Sequence, residues 1–382
     1  MARKKTDFKK IITWIIAWRL GLFLLSALAG FWLVYDPSFP YAIELLNSFA
    51  LPRWFYSWAN FDGVHYLMIA QQGYLGTGLI QAFFPIFPLL LRCLPSLLVG
   101  GLILNTILTT ILIVVFFELI KLDHSVKVAH WSIIALLLFP TSFFLGALYT
   151  EAVFLSLVMG SFLLARQKKW LWAGILAGIA SATRIIGIFL WPALLVELWW
   201  QAREINLSEF LKQHLQKIGL ISLGSLGLLS YMFYLWQVFG DPLYFLHVQQ
   251  EFGTGRQESL VLFPQVLWRY AKILWTARPF DWKYFSYAQE LFLSLGVLGS
   301  LLVFFKKIRP SYLVFSLLAF FLPTVTGTLS SMPRYVLICF PIFILLGKFY
   351  LKNKLWRVLL LTISITLLII NTILFIQGYW VA

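Results

Sequence analysis

An acid and an imidazole stand three residues apart in the stretch Phe61-Asp62-Gly63-Val64-His65-Tyr66. A carboxylate in that position could take a proton from an attacking hydroxyl such as that of a sugar, the usual task of a positioned general base. Asp-Gly is also a common turn dipeptide, with the aspartate bonded to its own backbone, and spacing alone leaves both readings open. A second acid, Glu151, follows Thr150. That pair reads either as an N-cap with a carboxylate in the favourable first turn of a helix, or as part of a site. Arg184 and Arg334 are the cations to weigh against these acids. Each could snorkel to lipid headgroups, or grip a phosphate through two parallel hydrogen bonds. Two guanidiniums and His65 beside a carboxylate would suit a reaction in which phosphate departs.

Other motifs are weaker. The glycines of Gly73-Tyr74-Leu75-Gly76-Thr77-Gly78 and Phe252-Gly253-Thr254-Gly255 lack the strand-to-helix setting and the Lys-Ser/Thr of a phosphate-cradling loop. Cys93 and Cys339, the only cysteines, are too few for a metal framework and read as small apolar fillers. His124 and His130 read as ordinary loop residues. No metalloprotease, Walker or serine-nucleophile pattern is present.

The elements that must position these groups are membrane helices. Of 382 residues, 61% are hydrophobic and 12% charged, with a mean hydropathy of +0.85. A soluble chain has about a quarter of its residues charged. The longer apolar runs span about 17 to 24 residues, the length that crosses a hydrocarbon core, and backbone pairing within the segment makes them helices. Runs such as Leu102–Val115 and Leu355–Leu374 lack the period-two alternation of an outer-membrane barrel. The formal charge of +15 is concentrated in six short places, 1–10, 121–127, 166–169, 201–217, 306–309 and 348–357. Those clusters lie between or beside apolar runs, the positive-inside pattern. Nucleic-acid binding would need one continuous basic surface.

With the basic clusters held on the cytoplasmic side, charge parity predicts about eleven crossings. They run Ile11–Val34, Gly100–Ile120, His130–Ala147, Thr150–Ala165, Leu171–Ile185, Gly187–Trp200, Ile218–Phe239, Leu291–Phe305, Leu313–Leu329, Tyr335–Leu346 and Val358–Ile376. The first follows a basic N-terminus without a small-residue cleavage site and reads as a signal anchor. The stretch Ala82–Val99 is apolar, but Pro85, Pro88, Pro95 and Arg92 interrupt it, so it is expected along the outer interface. The expected fold is therefore a single all-α polytopic membrane domain over residues 1–382, N-terminus cytoplasmic. It carries two large external loops, about 35–99 and 240–287. Their many Trp and Tyr residues are explained first by headgroup anchoring. Asp62, Glu151, Arg184 and Arg334 all fall on the external side, and no internal repeat of the transporter kind is visible.

Several of these segments resemble one family. Asp62-Gly-Val-His65-Tyr66-Leu-Met-Ile-Ala70-Gln-Gln-Gly73-Tyr74, followed by Ala82-Phe-Phe-Pro85-Ile-Phe-Pro88-Leu, is similar to the signature of the PIG-V family, GPI mannosyltransferase 2. Phe139-Pro140 through Tyr149-Thr-Glu151, Ala182-Thr-Arg184-Ile-Ile-Gly187, and Pro333-Arg334-Tyr335 with Phe340-Pro341 follow in the family's order. The resemblance covers about 60 to 350. It departs from the family at Phe61, where tryptophan is common, and in the interval Leu75–Gln81, which lacks the usual acid.

The resemblance implies a GT-C-type fold and a glycosyltransferase that uses a polyprenyl- or dolichyl-phosphate sugar, usually mannose, on the non-cytoplasmic face. The acceptor would be a glycolipid or glycan, and the membrane the plasma membrane of a prokaryote or the endoplasmic reticulum of a eukaryote. It implies Asp62 as the catalytic base and Glu151 as a second catalytic acid residue. His65, Arg184, Arg334, Tyr66 and Tyr149 would be the substrate- and phosphate-binding groups. No cofactor is obligatory for that chemistry, and no pattern indicates a divalent metal. Two other classes stand beside it. A lipid or sugar transporter or flippase needs a continuous polar path through the bilayer. A non-catalytic subunit of a glycan-assembly complex would tolerate loss of both acids.

Overall fold

A computed structural model describes residues 2–76, 79–202, 206–249, 261–277, 279 and 281–381, with side chains from residue 7 onward. Every regular element among them is helical. The main helices are α1 (Ala2–Leu28), α2 (Asp62–Gln72), α3 (Ile86–Arg92), α4 (Leu97–Lys121), α5 (Val126–Leu137), α6 (Glu151–Arg166), α7 (Trp170–Ser181) and α8 (Leu190–Ala202). They are followed by α9 (Leu207–Ser222), α10 (Leu226–Phe239), α11 (Phe263–Thr276), α12 (Trp282–Val303), α13 (Pro310–Thr324), α14 (Pro341–Lys352) and α15 (Lys354–Ile376).

Six stretches are long and apolar enough to cross a membrane: Asp7–Phe31, Leu97–Lys121, Ile185–Ala202, Leu207–Phe239, Trp282–Val303 and Lys354–Ile376. A bent pair, Met332–Ile338 and Pro341–Lys352, turns by 80° and would make a seventh. The chain is an integral multi-pass membrane protein. Large apolar side chains such as Leu20, Leu24, Ile103, Ile107 and Phe233 are left exposed along these helices, as a lipid-facing surface requires.

Several expected spans are shorter or more broken than the apolar runs suggest. Val126–Leu137, Trp170–Ser181 and Pro310–Thr324 are short apolar helices. In the run 130–147, α5 stops at Leu137, and the chain continues as buried turns through Pro140 and the 3-10 segment Ser142–Leu145. Proline has no N–H to donate and blocks the preceding turn. The run from Tyr335 breaks in the same way before Pro341, where the ring fits the first turn of α14. The helix expected from Leu291 begins earlier, at Trp282, with Asp281 accepting from Lys283 N. The loop expected over 240–287 therefore contains Tyr244–His247, α11 and the start of α12. Phe252-Gly253-Thr254-Gly255 and Thr77-Gly78 lie outside the described residues. Cys93 is exposed and Cys339 buried.

The helix α6 is the axis of the site. Most of it is buried, and it packs against α4 and α7. At its Arg166 end the guanidinium makes two 2.7 Å hydrogen bonds to Asp123. Buried Glu197 accepts nearby from Arg309, Ser311 and Gln201 at 2.6–2.7 Å. Gln201 also donates to Ala165 O, Asp7 meets His130 at 3.4 Å, and Arg357 donates to Tyr350 O over the Trp131 ring. These contacts gather all six basic segments at one end of the bundle. Glu151 lies at the other end of α6, 15 residues away, or about 22 Å at 1.5 Å per residue.

Candidate functional site

Three short structures present the groups at that opposite end. Asn60 and Phe61 lead into α2, and Phe61 holds a positive φ of 58°. A non-glycine residue in this region carries backbone strain of about 1–3 kcal/mol, held here by packing of its ring against Phe39, Phe375 and Trp380. The turn places Asp62 in the first turn of α2, where the helix dipole favours a carboxylate. Gly63 follows inside the helix. A Cβ there would come within 3.2 Å of the Ala59 side chain and 3.4 Å of the Leu148 carbonyl. The glycine allows α2 to approach the buried turn before α6, so Asp-Gly serves close packing rather than a free turn.

That buried turn carries Tyr149, Thr150 and Glu151. Asn105, a polar residue inside apolar α4, is fully buried and donates to Tyr149 O at 3.0 Å and to Ala147 O. Tyr149 Oη donates to Asn60 O at 3.0 Å and accepts from Asp62 N at 3.2 Å. The two acid-bearing segments are thereby tied together. Thr150 does not cap the helix with its side chain; it meets the Tyr66 phenol and, at 3.4 Å, Arg184.

Arg184 follows α7 at a sharp reversal. A Cβ on Gly187 would collide with the Ala180 and Ser181 backbone, so glycine is needed for the return strand of chain to sit that close. Arg184 donates to Glu151, with its guanidinium 4.9 Å from the Tyr335 ring. Arg334, in the short helix Met332–Tyr335, donates to Asp62. Its Nε lies 3.5 Å from Glu151 Oε1, and Phe144 and Tyr149 cover its faces at 5.5 and 5.3 Å. Neither arginine snorkels: side-chain exposure is 11% for Arg184 and 7% for Arg334.

The cluster thus holds two carboxylates and two guanidiniums in alternating contact, Asp62–Arg334–Glu151–Arg184. Glu151 is buried and Asp62 is 21% exposed, so Asp62 is the more accessible of the two acids. Burial acts to raise the Asp62 carboxyl, but the Arg334 charge and hydrogen bond, with His65 and Arg184, outweigh it and hold it below the usual carboxylate range. Burial lowers His65, with Asp62 opposing in part, so the imidazole is neutral at pH 7. It stacks on Phe83 at 4.9 Å and belongs to the wall rather than to the cationic pair. Burial raises the phenols of Tyr66 and Tyr149, with Asp62 adding to it, so both remain neutral. Glu151 Oε2 and Arg334 Nε are buried with no hydrogen-bond partner among the described residues. Buried polar atoms of that kind call for a ligand or water.

All seven residues singled out from the sequence therefore meet in one place. Asn60, Asn105 and Tyr335 were missed. Asn105 had a signal, since an amide within a long apolar helix is costly unless it has work to do. Asn60, whose Nδ2 donates to Phe375 O at 2.8 Å, had none, and Tyr335 stood within the Pro333-Arg334-Tyr335 segment of the resemblance without a role assigned to it. Among the described residues no three His, Cys, Asp or Glu side chains converge as a metal site.

A cavity of about 640 Å³ lies farther along α2 and α7, and none of the seven residues lines it. Its walls are largely apolar and include Ile69, one turn along α2 from His65, and Ala182, two residues before Arg184. Tyr231 and Tyr234 of α10 close the far side. Comparison with family models, with curated proteins and with solved structures gives no match to this chain.

Proposed function

We propose that this protein is a membrane glycosyltransferase of the GT-C type, moving a sugar, of the mannose kind, from a polyprenyl or dolichyl phosphate to a hydroxyl of a glycolipid or glycan. The observation that carries this reading is the convergence of Asp62, Glu151, Arg184 and Arg334 in one partly open cluster. The cluster lies at the end of the bundle away from the basic segments, and an apolar cavity farther along α2 and α7, lined by none of the four, has the chemistry to take a lipid chain. The likeness of the Asp62–Pro88 stretch to the PIG-V signature supports the same reading. By the positive-inside rule the basic end is cytoplasmic, and the cluster faces the other side. In this reading the short helices and the bent pair complete about eleven crossings.

The reaction would be a single displacement with inversion. Asp62 takes the proton of the acceptor hydroxyl as the oxygen attacks the anomeric carbon, and the bond to the lipid phosphate breaks on the opposite face. The leaving phosphate gains negative charge, and preorganised guanidiniums in a water-poor site stabilise such charge strongly. Both arginines are engaged by carboxylates. An arriving phosphate draws Arg334 toward itself, and Asp62 loses the partner that depresses its basicity. Arginine has five N–H donors and serves an acid and a phosphate in turn or together. Unpaired Glu151 Oε2 is left to accept from a sugar hydroxyl.

A transporter would need a continuous polar path through the bundle. Along α6, between the clusters at its two ends, the polar groups are Ser156 and Ser161, bonded to Leu108 O, Ala152 O and Ala173 O, while buried Glu290, Gln289 and Asn371 lie on α12 and α15. The test is transfer itself: purified protein with polyprenyl-phosphate mannose and membrane lipid extract, with products identified by mass spectrometry. Asp62→Asn should lower transfer by a factor of about 10² to 10⁴ while the protein still inserts. Near-normal transfer by that variant overturns the assignment of the base. No transfer from any of several lipid-phosphate sugars overturns the function, and the non-catalytic subunit takes its place.

A further inference from the structure

The basic end holds a second cavity, of about 610 Å³, far from the Asp62 cluster. It lies between the turn after α4, the end of α8, the turn before α13 and the side of α14. One part of its wall is hydrocarbon, from Leu119, Ile120, Leu313, Ile344 and Leu345. The other part is cationic, from Lys306, Lys307 and Arg309, with His124 and Asp123 alongside and Trp200 at the rim.

The charges are not balanced. Asp123 is matched by Arg166 through two 2.7 Å hydrogen bonds. Glu197, fully buried, is matched by Arg309 at 2.6 and 2.7 Å, and Ser311 and Gln201 also donate to it. Both nearby carboxylates are therefore satisfied. Lys306 and Lys307 have no carboxylate against them among the described residues, and lie over the neighbouring Phe305 and Phe304 rings. Lys348 stands within electrostatic reach of Lys307, Lys352 and Asp123. The Glu197–Arg309 bridge also fixes the turn that carries the two lysines, so their position is built into the fold.

A pocket that is apolar along one wall, cationic along the other and placed at the end of a transmembrane bundle has the chemistry of a lipid site. Basic pockets between helices on the cytoplasmic side take acidic headgroups, and a tryptophan at the rim favours the headgroup layer. A free anion would gain nothing from the hydrocarbon wall, and a neutral lipid would gain nothing from the lysines. We propose that this cavity binds an acidic phospholipid, its phosphate beside Lys306, Lys307 and Arg309 and an acyl chain along Leu119, Leu313 and Ile344. The proposal is independent of glycosyl transfer.

The experiment uses the full chain, purified in a neutral detergent and depleted of lipid. Thermal unfolding is followed with added phosphatidylglycerol, phosphatidylcholine or inorganic phosphate, and bound lipid is counted by native mass spectrometry. Phosphatidylglycerol should remain bound and raise the unfolding midpoint by about 2 °C or more. The other two should not, and the rise should be lost in Lys306→Gln/Lys307→Gln. Both lysines are exposed, so this variant should fold; if it does not, Lys348→Gln should weaken the rise in the same assay. No rise, an equal rise with phosphatidylcholine, a rise that survives the substitutions, or the same rise with phosphate alone would each overturn the proposal.

Discussion

Replacing Arg184 by methionine tests the central geometry without reference to any substrate. Glu151 is 1% exposed, and Arg184 is the donor that hydrogen-bonds it. Removing one partner of a buried pair costs about 3–5 kcal/mol, because the other charge is left without compensation. Here Arg334 Nε remains 3.5 Å from Glu151 Oε1, so the expected loss lies at the lower end, about 3 kcal/mol. Glu151→Gln should cost less, about 2 kcal/mol, because Arg184 keeps its place over the Tyr335 and Phe154 rings. The double variant should cost about 3 kcal/mol rather than the sum of the two, a coupling of about 2 kcal/mol, within the range found for residues in contact. The assay is equilibrium unfolding in mixed micelles, followed by tryptophan fluorescence, for the four proteins of the cycle. Strict additivity, with coupling under about 0.5 kcal/mol, would mean that the two side chains do not share the site as described.

Two further outcomes concern the ends of the bundle. Arg334 holds the Asp62 carboxyl low against the opposing effect of burial, so in Arg334→Gln the burial effect is left to act. If the proposed transfer depends on Asp62 as its base, the acid limb of its rate should then move to higher pH, read from kcat/KM between pH 4 and 8; a limb that stays put separates Asp62 from the rate. At the basic end Glu197→Gln leaves Arg309 and Arg166 facing each other without the buried carboxylate. It should destabilise by about 3 kcal/mol or more, measured in the same unfolding assay, and a loss below about 1 kcal/mol would count against a buried network.

Asp62, His65, Glu151, Arg184 and Arg334 were legible because hydrocarbon makes polar groups beside apolar runs costly; Tyr66 and Tyr149 came only with the family resemblance. Membrane class followed from the same physics. The helix boundaries were less legible. Hydropathy sees that 130–147 is apolar throughout, but it does not see that Pro140 ends the hydrogen-bond ladder and that the buried turn beyond finds other partners, such as Asn371 Nδ2 on Pro140 O. The bend before Pro341 escaped for the same reason. The Asp-Gly and Thr-Glu pairs had sound local explanations as a turn and a cap, and tertiary contacts displaced both: Gly63 meets Leu148, and Thr150 faces Tyr66 and Arg184. The Glu197 network was overlooked although Glu197 lies in an apolar run, which is the mark that drew attention to Arg184.

The spacing of the two networks says why such a site needs a membrane. They cap the same helix about 22 Å apart, while the hydrocarbon core is about 30 Å thick. If α6 crosses the membrane as proposed, at least one network lies below the headgroup plane, and the Glu197 end, with its exposed lysines and tryptophan, is the one placed near the surface. In the proposed reading the Asp62 cluster is the one set deeper, with the apolar cavity lined by Ile69 and Ala182 farther along α2 and α7. A hydrophilic substrate arriving from water would have to leave its hydration behind to reach that depth. In the proposed reaction a phosphate carried on a lipid would arrive at the depth its own chain dictates and exchange headgroup hydration for two guanidiniums already held in place by Glu151 and Asp62. On that proposal the carboxylates would serve twice, keeping the arginines poised before the substrate comes and taking up proton and hydroxyl once the phosphate has drawn the arginines away.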